Sequence, residues 1–242
     1  AGGGMAVRNT HGFHRAIHNI ENSYFRTKFE SELRRFHGLQ GIGVISDTDP
    51  QPLIIGSHLG TFGIVTVGRI NNMDALVQTA FSEKKYFSGT SDGVTNPTEV
   101  TAMLICQEDS FEAGIRRAQE AIQGSCSMLL LTDKGIYAAR DRLGRTPLVV
   151  GRRPGATAVS SESSAFPNLD FETSYFLGPG EVLFLTADGW EQRIAPGPRM
   201  QICSFLWVYY GYPASEYEGI NVEQVRYACG TALARHHDAP VD

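Results

Sequence analysis

The chain has 242 residues, of which 42% are hydrophobic, so it is long enough to bury a sizeable core in one large domain or two small ones. Its 21 basic and 26 acidic residues give a net charge of -5, which excludes the basic footprint of a nucleic-acid-binding protein. The apolar run at residues 128–131 is far shorter than the roughly 18 residues of a membrane-spanning helix, and no signal-peptide pattern is present. We therefore expect a soluble, cytoplasmic protein that binds neither nucleic acid nor a membrane.

Cysteine and histidine spacing argues against a metal or redox site. The four cysteines are far apart, form no CxxC pair and lie mostly in apolar stretches, where cysteine packs as a small hydrophobic residue. The seven histidines show no metal-ligand spacing. Walker, GxGxxG, HExxH and GxSxG elements are absent from the sequence. We expect no disulfide framework, no metal and no other cofactor.

The first half of the chain combines short strands with helices. Residues 2–7 predict a short strand, and the helical spacing of aromatic residues between 21 and 36 predicts one or two helical turns. Two β-branched runs bounded by glycine, aspartate or proline, at 41–46 and 62–67, predict buried strands. Asn72 is the expected N-cap of a helix that continues to Phe81.

The second half begins with two helices and continues with strands. After a polar loop at 88–96, Pro97 opens one helix and residues 110–122 form a second with an apolar stripe. Short strands separated by turns then predict a hairpin meander, at residues 127–132, 136–140, 148–151, 157–160, 182–186 and 192–194. The aromatic run 202–210 could be a strand returning to the core, and residues 221–235 predict a helix. This order indicates an α+β layered domain.

Two polar segments allow more than one interpretation. The charged residues around the glycine turn at 139–147 could hold an anion, or they could lock the turn as a salt-bridged hairpin. The segment 160–163 follows a predicted strand and could place the carboxylate of Glu162 in a pocket, or it could cap a helix.

Taken together, five segments resemble the glutamine amidotransferase domain of the amidophosphoribosyltransferase family in order and in spacing. The segment 129–148 is similar to that family's hairpin signature, and 160–163 and 177–181 are similar to its ASES and EPGE elements. The remaining two are 3–7, which matches the stretch after the family's first helix, and 203–210, which matches the run leading into its transferase domain. The resemblance extends over almost the whole chain.

The resemblance implies the N-terminal-nucleophile fold, an α+β sandwich of four layers, αββα, with two antiparallel sheets between helices. It also implies a reaction in which an N-terminal cysteine releases ammonia from glutamine, and an adjoining domain uses the ammonia to make phosphoribosylamine from phosphoribosyl pyrophosphate in purine synthesis. On this basis residues 1–200 are an amidotransferase-like domain lacking its N-terminal nucleophile strand. Residues 201–242 are a connecting strand and helix leading toward a phosphoribosyltransferase domain, and assembly is expected to be homo-oligomeric.

Several positions depart from the family pattern. Residue 1 is alanine, and none of the four cysteines lies where the attack on glutamine would begin. The arginine that binds the substrate carboxylate aligns with Ser46, and serine cannot supply a bidentate cation. The family's oxyanion element HNGN aligns with 68–71 and retains only its last asparagine, while the acid that binds the substrate amine aligns with Pro97. The candidate remnants of the glutamine site are Ser46, Arg69, Ile70, Asn71, Asp92 and Pro97.

These departures leave three hypotheses. The favoured one is a catalytically inactive amidotransferase-like domain, retained for folding, docking or regulation of its neighbour. The second is a fragment of an active glutaminase that uses other contacts, for instance Arg69 or Asp92. The third is a module that senses another small metabolite in a pocket around Ser46, Arg69, Asn71 and Asp92, although the sequence favours an ordinary solvent-exposed arginine at position 69. The residues assigned to the structural hairpin and the element beside it are Arg140, Asp141, Gly144, Arg145 and Glu162.

Overall fold

A computed structural model describes residues 2–22, 24–47, 49–88, 90–91 and 94–236. The helices are α1 (Phe25–Leu33), α2 (Met73–Ser82), α3 (Pro97–Ile105), α4 (Phe111–Ala121) and α5 (Val222–Arg235). The strands of the first half are β1 (Gly2–Asn9), β2 (Gly12–Asn19), β3 (Gln40–Ser46), β4 (Leu53–Ser57), β5 (Gly60–Ile70), β6 (Thr90–Ser91) and β7 (Val94–Thr95). Those of the second half are β8 (Gly124–Leu131), β9 (Ile136–Ala139), β10 (Val149–Arg153), β11 (Ala156–Ser160), β12 (Glu172–Phe176), β13 (Val182–Thr186), β14 (Gly189–Ile194), β15 (Glu216–Tyr217) and β16 (Ile220–Asn221).

A six-stranded antiparallel sheet forms the centre of the molecule, in the order β14-β13-β9-β8-β5-β4. Successive side chains of a strand point to opposite faces, so each central strand contributes to two cores. On β5, Phe62 and Ile64 pack toward α3 and α4 together with Met128 and Leu130 of β8. The other face of this sheet is covered by two smaller sheets.

The two smaller sheets have the orders β2-β1-β3 and β11-β10-β12, and both are antiparallel. Val65 and Leu131 of the central sheet pack against Ala6 and Ile42 of the first small sheet, while other central residues pack against the second. Helix α1 covers the outside of the first small sheet, where Phe29 is buried against His18. The layers are therefore helices, sheet, sheet and helix, which agrees with the expected αββα sandwich.

The helix starts follow the sequence signals, with one difference. The side chains of Asn96, Ser110 and Asn221 accept hydrogen bonds from backbone N–H groups in the first turns of α3, α4 and α5. Asn72 occupies the N-cap position of α2, but its side chain makes no capping bond there. Its amide instead donates to Ala121 O at 2.9 Å and accepts from the Gln123 N–H at 2.8 Å, so it ties α2 to the connection between α4 and β8.

Two expectations are wrong. The second half is not a simple hairpin meander, because after β9 the chain leaves the central sheet, forms β10 to β12 in a separate sheet and returns with β13. The run 202–210 is not a strand, because Leu206–Tyr210 forms a π-helical turn. An apolar run does not distinguish a strand from a helical turn, and here the side chains of Phe205, Tyr209 and Tyr210 face outward. In the part of the chain that the structure describes, no helix is both long and apolar enough to cross a bilayer.

Candidate functional site

A pocket of about 490 Å³ lies between the central sheet and the facing edges of the two smaller sheets. Strands β3 and β11 are edge strands of their own sheets, and residues of both strands line it. We call it the inter-sheet pocket; its lining is mostly apolar with four hydroxyl side chains. The lining residues are Gly4, Met5, Phe25, Gly43, Val44, Ile45, Val65, Val67, Ser127, Met128, Leu129, Thr146, Leu148, Val159, Ser160 and Ser161. Among these residues none carries a charged side chain.

A hydrogen-bonded polar network lies at the end of β3, where Ser46 approaches the start of α3. The Ser46 hydroxyl donates to Asp49 Oδ1 at 3.0 Å, and the Thr98 hydroxyl donates to Asp49 Oδ2 at 2.8 Å. Thr66 Oγ1 lies 2.6 Å from Thr98 Oγ1. Because the single proton of Thr98 goes to Asp49, the Thr66 hydroxyl is the donor in that contact. Thr98 follows Pro97, so this network links the two positions that align with the family residues expected to bind the two ends of glutamine.

Gln51 extends this network toward β5. Its side-chain amide donates to Thr66 O at 3.0 Å and accepts from the Thr66 N–H at 2.7 Å, so it pairs with the strand as a backbone group would. Both residues are buried. Among the described residues, the Gln51 amide therefore binds the backbone of β5, and the Asp49 carboxylate accepts from the hydroxyls of Ser46 and Thr98.

Three other candidate remnants, Arg69, Ile70 and Asn71, lie at or directly after the end of β5. Arg69 is exposed and paired with Ser125 of β8, and on strand alternation it faces the same side as Val65 and Val67 of the inter-sheet pocket. Ile70 packs on the helix-side core, and the Asn71 N–H donates to Gln123 O at 2.7 Å. Arg69 therefore lies beyond the rim of the pocket. Asp92 falls outside the described residues.

The turn that follows β9 is held by Asp141 rather than by ion pairs within the turn. The carboxylate of Asp141 accepts from the Leu143 N–H at 3.1 Å and from the Thr146 N–H at 2.8 Å. Gly144 has φ of +67°, a conformation that glycine adopts without a steric penalty. Arg145 is exposed and donates to Gln201 Oε1 at 3.1 Å. Of the two interpretations of this segment, these contacts agree with a fixed structural turn. The turn is held by hydrogen bonds from backbone N–H groups to the Asp141 carboxylate, and not by the expected salt bridge.

Arg140 is fully buried and has a partner that the sequence analysis missed. Its guanidinium donates to the carbonyls of Leu177 and Gly144, the latter at 2.6 Å. Its Nη1 also lies 2.7 Å from Glu218 Oε1. Glu218 stands in the turn between β15 and β16, and no sequence pattern marked it.

Glu162 also binds the C-terminal part of the chain. Its Oε1 accepts from the Tyr217 hydroxyl at 2.7 Å, and its Oε2 accepts from Ser215 at 3.4 Å. Burial, reinforced by the neighbouring carboxylate of Glu162, raises the pKa of Tyr217. Glu162 does not cap the short 3-10 helix that follows it with a side-chain hydrogen bond. Its role is to hold the turn around β15.

None of the four cysteines lines the inter-sheet pocket. Cys126 lies on the helix side of β8, and burial raises the pKa of its thiol to about 12. Cys106 is half-buried and its pKa is raised for the same reason, whereas Cys203 and Cys229 are exposed on the C-terminal part of the chain. Because the thiolate is the nucleophilic form, Cys126 is chemically inert at neutral pH.

The sequence of this chain is similar to those of known proteins. The family model described as a glutamine amidotransferase domain matches residues 39–168, more than half of the chain. The amidophosphoribosyltransferase of Archaeoglobus fulgidus is 30% identical over 193 residues, which cover 79% of this chain and 42% of that protein. The chloroplastic amidophosphoribosyltransferase 2 of Arabidopsis thaliana is 33% identical over 196 residues, 79% of this chain and 34% of its own length. The chain thus spans less than half of these relatives.

Two solved structures share the fold over the full length of this chain. The glutamine phosphoribosylpyrophosphate amidotransferase from B. subtilis, complexed with ADP and GMP, aligns with a TM-score of 0.84 and 25% identity, covering 100% of this chain and 53% of that one. A structure described as the allosteric regulatory enzyme of purine biosynthesis aligns with a TM-score of 0.87 and 24% identity, again over 100% of this chain and 53% of that one. The N-terminal-nucleophile type of αββα fold is thereby confirmed.

Proposed function

This chain belongs to the glutamine amidotransferase domain family, in the form found in amidophosphoribosyltransferases, and we propose that it is a member that has lost glutamine hydrolysis and serves a structural or regulatory role. Glutaminase chemistry requires a thiolate, donors for the oxyanion, and charged groups that bind the α-carboxylate and α-amine of glutamine.

The observation that carries the proposal is the polar network around Ser46. A guanidinium binds a carboxylate through two parallel hydrogen bonds, and a serine hydroxyl can donate only one. At this position Ser46 donates its hydroxyl to Asp49, which also accepts from Thr98. An aspartate carboxylate at this place repels the substrate carboxylate. These hydrogen bonds therefore stabilise the contact between the end of β3 and the start of α3, and the Asp49 carboxylate disfavours glutamine binding there.

The nucleophile and the oxyanion donors support the same proposal. Cys126, which lies on central strand β8, is on the opposite face of the sheet from the inter-sheet pocket and has a raised pKa. At the end of β5, Arg69 and Ile70 replace amide-bearing or small residues of the aligned oxyanion element, and removing one such donor typically costs about 10²–10³ in rate. Arg69 remains the one described remnant that offers a cation.

The shape of the inter-sheet pocket supports the proposed domain assignment of residues 1–200. Strands β3 and β11 each pair on one side only, with β1 and β10, and both border the pocket. An extended segment between them would satisfy the open hydrogen-bonding edges and join the two small sheets into one. We propose this slot as the place of the family's N-terminal strand.

We further propose that residues 201–242 lead to an adjoining phosphoribosyltransferase domain. Helix α5 is 14 residues long and buries only Val222 among its residues. Tyr227 and Leu233 are 70% and 72% exposed on it, and an isolated helix of this length is marginal in water. The greater length of the relatives is consistent with a further domain that covers this helix.

The test is an ammonia-release assay with glutamine on the full-length native protein, whose mass and N-terminal sequence are determined first. We expect no release above the buffer control, while the B. subtilis relative, assayed in parallel, releases ammonia. Isothermal titration of glutamine is expected to show no binding. Glutamine hydrolysis by the native protein would overturn the proposal and favour the second hypothesis, an active glutaminase that uses other contacts such as Arg69 or Asp92.

A second candidate function is sensing of a small metabolite, favoured by the exposed guanidinium of Arg69 beyond an apolar pocket. An anionic compound with an apolar body fits that combination. The measurement is the melting temperature across a panel of anionic metabolites, compared between the native protein and Arg69→Gln. A rise that Arg69→Gln abolishes supports sensing, and a flat panel removes this candidate.

A further inference from the structure

A groove of about 540 Å³ opens at the end of the sandwich remote from the Ser46 network, and we call it the basal groove. One wall comes from β1 and β2 of the first small sheet. The other comes from the β4–β5 and β8–β9 turns of the central sheet, together with the start of α4. Its charged and apolar lining side chains are Arg8, Asp133, Phe13, Ile54, Leu59 and Phe111.

The basal groove is separate from the inter-sheet pocket and from the candidate glutamine site. Among the described residues, the two cavities share no lining residue. The order of the first small sheet is β2-β1-β3, so β3 lies between the basal groove and the slot proposed for the N-terminal strand. Arg8 and Gly2 stand about 20 Å apart at opposite ends of β1, and it is Gly2 that pairs with Ser46. A strand in the slot therefore does not fill the basal groove.

Two opposite charges face each other across the basal groove. Ala6 of β1 and Leu131 of β8 belong to one core cluster between the layers, and Arg8 and Asp133 each lie two residues further along, where the layers open. Among the described residues, neither charged side chain makes a hydrogen bond or an ion pair. The guanidinium of Arg8 is instead held over the ring of Phe13, with Cζ 6.0 Å from the ring centroid. This arrangement suits a ligand that carries both charges.

The floor of the basal groove is apolar and partly aromatic. Phe13 and Ile54 extend the core between the sheets, while Leu59 and Phe111 extend the helix-side core, and each of the four is only half-buried. The ring of Phe111 is fixed edge-on to Phe62, with 5.2 Å between the centroids. Aromatic pairs are favourable beyond the area that they bury, so a ligand with an aromatic ring is complementary to this floor.

We propose that the basal groove binds an aromatic α-amino acid as a zwitterion, with its carboxylate on Arg8, its ammonium on Asp133 and its ring against Phe13 and Phe111. A guanidinium matches a carboxylate through two parallel hydrogen bonds, and the Asp133 carboxylate balances the ammonium. The volume of the groove is in the range of small-molecule sites. Binding here needs no glutamine chemistry, so it stands or falls independently of the loss of hydrolysis.

The test is isothermal titration of L-phenylalanine into the full-length native protein and into its Arg8→Gln and Asp133→Asn variants. We expect saturable binding to the native protein and a loss of affinity of about tenfold or more with each substitution, in line with the strength of hydrogen bonds to charged groups. L-Alanine, which lacks the ring, should bind more weakly than L-phenylalanine to the native protein.

Two analogues assign the charges. 3-Phenylpropanoate lacks the ammonium, so its weaker binding should depend on Arg8 and be insensitive to Asp133→Asn. 2-Phenylethylamine lacks the carboxylate, so its binding should depend on Asp133 and be insensitive to Arg8→Gln. Analogue binding with the opposite dependence, or with none, overturns the proposed orientation of the ligand.

Arg26→Gln and Glu30→Gln are the matched controls, because both residues are exposed on α1 outside the groove and their substitution should leave binding unchanged. Circular dichroism and the melting transition show whether each variant is folded. If a groove variant does not fold, Thr61→Phe narrows the groove from an exposed position and should also weaken binding. Absence of saturable binding to the native protein, or binding that the folded groove variants leave unchanged, overturns the proposal.

Discussion

Arg140 and Glu218 form an ion pair that joins the turn after β9 to the turn between β15 and β16, with 2.7 Å between Nη1 and Oε1. The guanidinium is fully buried, while the carboxylate remains partly accessible. Removing one partner of a buried pair leaves an uncompensated charge. This contact therefore attaches the β15–β16 hairpin to the amidotransferase-like domain and contributes to the stability of that domain.

Arg140→Met is expected to lower the free energy of unfolding by about 3–5 kcal/mol, because two buried backbone carbonyls lose their donor and Glu218 loses its ion-pair partner. Urea denaturation followed by tryptophan fluorescence measures the change. Arg145→Met is the matched control, since Arg145 is exposed and bonds only to Gln201 among its described side-chain contacts. Its effect should stay below about 1 kcal/mol. Equal losses for both substitutions would contradict the assignment of Arg140 to the core.

Thr98→Val is expected to destabilise the protein by about 1–3 kcal/mol, because it leaves Asp49 and Thr66 without their shared hydroxyl partner. Valine has nearly the shape of threonine, so the loss reports the hydrogen bonds. Thr61→Val on β5 provides the control, since Thr61 is exposed and its substitution should change stability by less than about 0.5 kcal/mol. Thermal denaturation of the two variants side by side is the measurement.

Stability should fall as pH rises above 10. Burial, strengthened by hydrogen bonds to Glu112 and Glu181, raises the pKa values of Tyr137 and Tyr175 from 10.0 to about 12. The folded state then binds more protons than the unfolded state between these values, so the contribution is complete below pH 10 and is lost as pH approaches 12. Urea midpoints between pH 8 and 11.5 test this expectation. The double variant Tyr137→Phe with Tyr175→Phe should show a shallower decline, and an identical decline would argue against these two groups.

Thiol labelling should separate the four cysteines. Cys203 and Cys229 are exposed and should react with a maleimide or with Ellman's reagent in the native state, whereas Cys126 is buried with a pKa of about 12 and should not react. Cys106 should react slowly, because it is half-buried and its pKa is raised. Mass spectrometry of labelled peptides, with a urea-unfolded sample as the control, gives the order. Rapid native labelling of Cys126 would contradict its position in the core.

The local pattern of the sequence determined most of the helices and the central strands. The starts of α3, α4 and α5 and the apolar stripe of α4 depend on contacts within a few residues, so local sequence signals predict them. The family resemblance likewise led to the αββα arrangement, because motifs such as 177–181 and 129–148 carry the turns that join the sheets. The departures at Ser46 and Pro97 were visible from sequence alone.

Only the tertiary structure decided how those residues are used. The pairing of Arg140 with Glu218 and of Glu162 with Tyr217 joins positions far apart in the chain, and no local pattern encodes such contacts. The aromatic run 202–210 resembles a strand in composition, but its conformation depends on the Arg226 guanidinium that binds its carbonyls from α5. Sequence periodicity reports which face of an element is apolar, whereas the partner of a buried charge is set by how the layers pack.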